Sequence, residues 1–124
     1  MTGRAKSPKQ GLKLRFVLPD GSWLGPGKAD LLQGIVETGS ISAAGRRLGM
    51  SYKRAWGLVE VLNTMFAAPL VASSRGGAGH GGAELTETGQ EVLRLFRAMQ
   101  SHAERAVEAE EAELLRLFDM ADKK

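Results

Sequence analysis

Ser51, Tyr52, Lys53 and Arg54 stand in one unbroken run directly after Gly49 and Met50. Hydroxyl, ammonium and guanidinium groups donate to phosphate oxygens and to the acceptor-rich edges of base pairs. If such a run opens a helix, the backbone amides of its first turn add to the same field. Cations near a helix N-terminus otherwise oppose its dipole, by roughly a few tenths of a kcal/mol each. A phosphate-bearing partner removes that conflict, so polyanion binding is the chemistry this run suits.

Other candidate chemistry is sparse. "RGGAGHGG", residues 75–82, is dense in glycine, and such backbones form concave nests of N–H groups that bind anions. It lacks a Gly-Lys-Ser/Thr ending and leads from one strand into another, so a nucleotide cradle is not expected. It reads as a wing lying over a nucleic-acid backbone, with Arg75 and His80 as its charges and a modest contribution. His80 and His102 fall in different elements without a second ligand at metal spacing. Ser73 and Ser74 have no accompanying base. "EAEEAE", residues 108–113, reads as a solvated helix face. The expectation is no catalytic site, metal or cofactor, and hence no enzyme.

The elements that must position the basic run are legible around it. In "GSISAAGRRLGMSYKRAWGLV", Ser42 can cap a short helix through Leu48, Gly49 supplies a left-handed stop, and Ser51 can cap a second helix to about Phe66. Ile41, Ala44, Leu48, Met50, Ala55 and Leu58 point inward, and Gly45 permits close approach of the two helices. That is helix-turn-helix spacing. Along the second helix Ala55, Leu58, Leu62 and Phe66 make one apolar stripe, with Val59 and Met65 beside it. Trp56, one turn after Tyr52, has two readings: it meets the nucleic acid, or it packs under the neighbouring hairpin.

Residues 1–11 are polar and basic and read as a flexible arm. "LKLRFVL", residues 12–18, alternates like a strand, "PDGSW" is a turn, and residues 28–38 have helical spacing ended by Gly39. Residues 70–85 form a hairpin that the strand 12–18 is expected to join. Thr86 caps a final helix, although Gly89 stands where a capping box would have Glu. Val92, Phe96, Met99, Ala103 and Ala106 then form a seam for a second copy, continued imperfectly by Leu114, Leu117 and Phe118. The expected core includes Phe16, Leu32, Ile35, Leu48, Leu58 and Leu62. The organisation is an arm at 1–11, a binding domain at 12–86 and a dimerisation helix and tail at 87–124. The fold class is mainly α with a small β-sheet: a winged helix-turn-helix with a long C-terminal dimerisation helix.

Composition agrees with this. Residues 1–56 hold ten Lys/Arg against three Asp/Glu, whereas residues 57–124 hold seven against eleven. The basic half contains the helix-turn-helix. No cysteine is present, which fits a reducing compartment. No apolar run approaches the roughly 20 residues of a membrane helix, and "MTGRAKSPKQG" lacks the apolar centre of a signal peptide, so a cytoplasmic chain off the membrane is expected.

The ordered set "GSISAAGRRLGMSYKRAWGLVEVLN", "PLV", a glycine-rich tip and "ELTETGQEVLRLF" resembles the N-terminal DNA-binding domain of ModE-type, molybdate-responsive transcription regulators. LysR-type regulators share a similar leading motif. The resemblance spans about residues 12–118. It implies a winged helix-turn-helix, a homodimer held by terminal helices, and an inverted-repeat site on double-stranded DNA. Ser42, Ser51, Tyr52, Lys53, Arg54, Arg75 and His80 are the expected DNA-contacting residues. Regulators of this type also carry C-terminal molybdate-binding domains, for which 124 residues leave no room, so oxyanion sensing is not expected here beyond weak binding at the glycine loop. Regulation would then come from concentration or from a separate sensor protein. The rival reading is a winged-helix module used only for protein contacts.

Overall fold

The computed structural model describes residues 10–75 and 81–122. Its elements in chain order are β1 (Phe16–Val17), β2 (Trp23–Leu24), α1 (Pro26–Thr38), α2 (Ile41–Arg47), α3 (Tyr52–Met65), β3 (Val71–Arg75), β4 (Gly81–Leu85), α4 (Glu87–Ala106) and α5 (Glu108–Asp122). Pro26 starts α1, where its missing N–H costs nothing, and Gly39 ends it in the left-handed region at φ 73°. The Gly39 amide donates to the Ile35 carbonyl at 2.8 Å.

The strand at 12–18 is shorter than its alternation suggests and has a different partner. Only Phe16 and Val17 are paired, with Leu24 and Trp23 respectively, while β3 pairs with β4 in a separate antiparallel sheet. The turn explains this. Leu18 donates to the Ser22 carbonyl at 2.7 Å, Gly21 sits at φ 90°, and Asp20 accepts from both the amide and the hydroxyl of Ser22. The chain therefore reverses at once and β1 takes the nearest segment. Phe16 consequently stays 48% exposed rather than entering the core.

The core lies where α1, α2 and α3 meet the β3–β4 hairpin and the first half of α4. Leu31, Leu32, Ile35, Leu62, Leu70 and Phe96 are its largest fully buried side chains. Leu58 packs against it only partly buried. Leu48 is a second correction: α2 ends at Arg47, so Leu48 leaves helical phase and is 37% exposed. Met50, beyond the turn, packs against the core.

The C-terminal helix is two helices, divided at Val107, whose amide donates to the Ala103 carbonyl at 3.2 Å. The seam expected along it divides too. Leu93 and Phe96 are buried against the body, Val92 packs beside them, and Met99 is exposed. Arg97 fixes α4 to α1 through Asp30 at 3.1 Å. The uncovered apolar residues lie further on, at Leu114, Leu115, Leu117, Phe118 and Met120 of α5.

Candidate nucleic-acid interface

The α2–α3 corner is set by small residues in direct opposition. A Cβ added to Gly34 of α1 would lie 2.9 Å from the Ala44 Cβ, and one added to Gly45 would lie 2.7 Å from the Ala55 Cβ. Neighbouring positions of α2 thus press on α1 and on α3, and nothing larger than the residues present fits either contact. Between the helices Gly49 adopts φ 72°, its amide donates to the Arg46 carbonyl at 3.0 Å, and the Met50 amide donates to Gly45 at 2.8 Å. The bend is hydrogen-bonded throughout.

The cap of α2 is Ser40, not Ser42. Ser40 Oγ accepts from the Ala43 amide at 3.1 Å, because the chain is still extended at Ser40 and already helical by Ile41. Ser42 lies half-buried in the first turn of α2. Ser51 caps α3 as expected, its Oγ accepting from the Arg54 amide at 3.1 Å. The amides of Tyr52 and Lys53 precede the intrahelical ladder. Tyr52 is 65% exposed, and Lys53 and Arg54 are exposed beside it.

Trp56 is half-buried and packs against the core, with its ring 6.1 Å from that of Tyr52 at 61°. It supports the tyrosine from behind. Arg46 and Arg47, in the last turn of α2, add two cations immediately before the bend. Arg47 pairs with Glu37 at 2.5 Å. That bond first, and then one from Gln33, holds the Glu37 carboxyl below its ordinary range. Arg46 is exposed, and nothing in its residue type alone sets it apart from Arg47.

The β3–β4 hairpin is aimed by contacts that residue types did not announce. Asn63, on α3, accepts at Oδ1 from the Leu70 and Val71 amides, both at 2.9 Å, and donates from Nδ2 to the Val71 carbonyl at 3.1 Å. Ala83 donates to the Gly39 carbonyl at 2.9 Å, tying the returning strand to the end of α1. At the hairpin's exit Thr86 caps α4 through the Gly89 amide at 3.0 Å and donates to the Pro69 carbonyl at 2.7 Å. Gly89 replaces the Glu of a capping box because any Cβ there would overlap the Leu70 carbonyl. Arg75 is placed by its backbone as the last residue of β3, opposite Gly81, and His80 lies outside the described residues.

A three-helix core whose second and third helices meet at a tight glycine corner, followed by a two-stranded hairpin, is a winged helix-turn-helix. The family model for bacterial regulatory helix-turn-helix proteins of the lysR family matches residues 28–90, from the start of α1 into α4. The chain belongs to that family. Within it the domain is ModE-like. The molybdenum-pterin-binding protein MopB of Rhodobacter capsulatus is 39% identical over 103 residues, covering 77% of this chain and 38% of that protein. The transcriptional regulator ModE of Yersinia pestis is 37% identical over 81 residues, 65% of this chain and 31% of that one. The DNA-binding transcriptional dual regulator ModE of Escherichia coli K12 is 39% identical over 71 residues, 57% and 27% of the two chains. The chain thus spans about a third of the length of these relatives. The fold is similar to that in the crystal structure of a CbnR_DBD–DNA complex, with TM-score 0.57 at 24% identity over 71% of this chain and 95% of that one.

Proposed function

We propose that this chain is a sequence-specific regulator that binds double-stranded DNA as a homodimer, with the N-terminal turn of α3 in the major groove. The observation that carries this is the exposed run Ser51, Tyr52, Lys53 and Arg54 at the open end of a helix held rigidly by the Gly45–Ala55 contact. Two cations at a helix N-terminus gain most when a polyanion meets them. Arg46 and Ser42, on the helix crossing in front, suit the DNA backbone, and the β3–β4 hairpin with Arg75 and His80 suits the flanking phosphates. Two-fold symmetry would space two such turns about 34 Å apart or a multiple of it, which makes the site an inverted repeat. The family relation and the similarity to ModE transcriptional regulators support this reading. A cytoplasmic location belongs to the same proposal; among the described residues no helix is long and apolar enough to cross a membrane.

Selection of bound sequences from a random duplex pool, followed by titration of two variants, tests it. Arg54→Ala is expected to weaken binding by about 1–3 kcal/mol and to relax base preference at one position of each half-site. Lys53→Ala is expected to weaken all duplexes similarly and to lower the salt slope by about 1 per subunit. Absence of salt-dependent duplex binding at low ionic strength would leave the protein-contact module as the reading.

A further inference from the structure

Two surfaces carry large apolar side chains that stay about half exposed. One is the β1–β2 hairpin, where Phe16, Val17 and Trp23 are 48%, 56% and 42% exposed. Arg15 and Lys28 both stack on the Trp23 ring, at 4.7 and 4.2 Å from its centroid. No acidic residue stands in the first turn of α1 to answer them. Asp20 is engaged by Ser22, and Asp30 by Arg97. Burial first, and then the neighbouring Arg15, hold the Lys28 ammonium below the ordinary lysine range. Two like charges and the positive end of a helix therefore gather around one exposed indole.

The other surface is α5. At about 3.6 residues per turn, Glu110, Glu111, Leu114, Leu115, Leu117 and Phe118 fall on one face. The four apolar members are 43–66% exposed. With Gln10, Gly11, Leu12 and Val107, part of this face lines an open cavity of about 320 Å³. A helix of 15 residues holding this much uncovered apolar surface is marginal alone, so its stability must come from packing.

We propose that the β1–β2 hairpin of one copy docks on α5 of a second copy, with the Arg15–Trp23–Lys28 stack against Glu110 and Glu111 and with Val17, paired with Trp23 and so on the same hairpin face, against Leu114 and Phe118. The proposal rests on the homodimer reading above and specifies where its contacts lie. Charge chooses this pairing. Two copies of α5 packed in parallel would bring Glu110 and Glu111 near their own counterparts, and packed antiparallel would leave both glutamates without the hairpin's cations, whereas the hairpin offers the opposite sign beside an apolar surface. In a two-fold dimer the contact occurs twice, which buries both surfaces on both chains.

Sedimentation of the 124-residue chain and two charge-reversed doubles tests it. Arg15→Glu with Lys28→Glu, and separately Glu110→Lys with Glu111→Lys, should each raise the dimer dissociation constant by about tenfold or more. An equimolar mixture should restore near wild-type affinity, because the mixed dimer has one doubly reversed contact and one native contact. Lys28→Glu places a carboxylate in the first turn of α1, where it favours the helix dipole, so melting of α1 does not explain the loss. Circular dichroism of each double checks α5. Unchanged or tighter dimers from Glu110→Lys with Glu111→Lys, or no recovery on mixing, would overturn the docking while leaving a dimer. A wild-type chain monomeric at micromolar concentration would overturn the homodimer reading itself, and this contact with it.

Discussion

Asn63 is the side chain on which the placement of the wing depends most. Its amide satisfies two donors and one acceptor of the strand entering β3, and no apolar or purely acidic residue can do all three. Asn63→Ala leaves part-buried backbone groups without partners, so a loss of about 1–3 kcal/mol in denaturant unfolding is expected. Asn63→Asp keeps the acceptor, loses the donor toward Val71 and should fall between. If the hairpin touches DNA, both variants also lose affinity beyond what their stability explains, and footprints should shorten at the flanks. The sequence hid this residue for a physical reason. An Asn inside a helix pattern is chemically neutral until the chain seven residues later returns to it, whereas Ser51 announces its cap by lying next to the turn it caps.

At the scale of elements, the angle between α2 and α3 decides where the basic turn points, and the Gly45–Ala55 contact limits how closely the two helices approach. Gly45→Ala raises helix propensity by about 1 kcal/mol. It also forces a methyl to within 2.7 Å of the Ala55 Cβ. Overpacking of this kind costs about 1–3 kcal/mol, so net destabilisation and reduced DNA affinity are expected. Ala55→Gly clears the space at the cost of propensity in α3. In the double variant the two effects should couple favourably, and thermal unfolding of the four-member cycle measures the coupling. This corner was legible because glycine and alanine at helix contacts, and a left-handed glycine at the bend, leave a pattern in residue type alone. The α2 cap was less legible. Ser40 and Ser42 are equally able to accept, and only the path of the chain out of Gly39 selects the first. The reach of β1 was not legible at all. Alternation marks a face but not what covers it, and in this chain Phe16 stays 48% exposed.

For the whole molecule, the question is what besides the proposed DNA partner its cationic surface could hold. MopB is named for molybdenum-pterin binding, but the aligned region is 38% of that protein, so the similarity speaks for the shared part alone. A tetrahedral oxyanion is held by converging amide, hydroxyl and cationic donors. Among the described residues such a set stands at the start of α3, with its cap Ser51 and with Lys53 and Arg54, and all three are exposed to water. These are the groups proposed to meet DNA. A ligand bound there can act only as a competitor, since an effector shifts a protein by its differential affinity for two states, and a shared surface offers no second state. Micromolar molybdate is therefore expected to leave the DNA affinity of this 124-residue chain unchanged. Millimolar molybdate should weaken binding only as much as sulfate does at equal ionic strength, through screening and simple competition. A DNA titration with each anion in parallel decides it. A molybdate-specific change of about tenfold, or about 1.4 kcal/mol, would require an oxyanion site distinct from the DNA-facing turn.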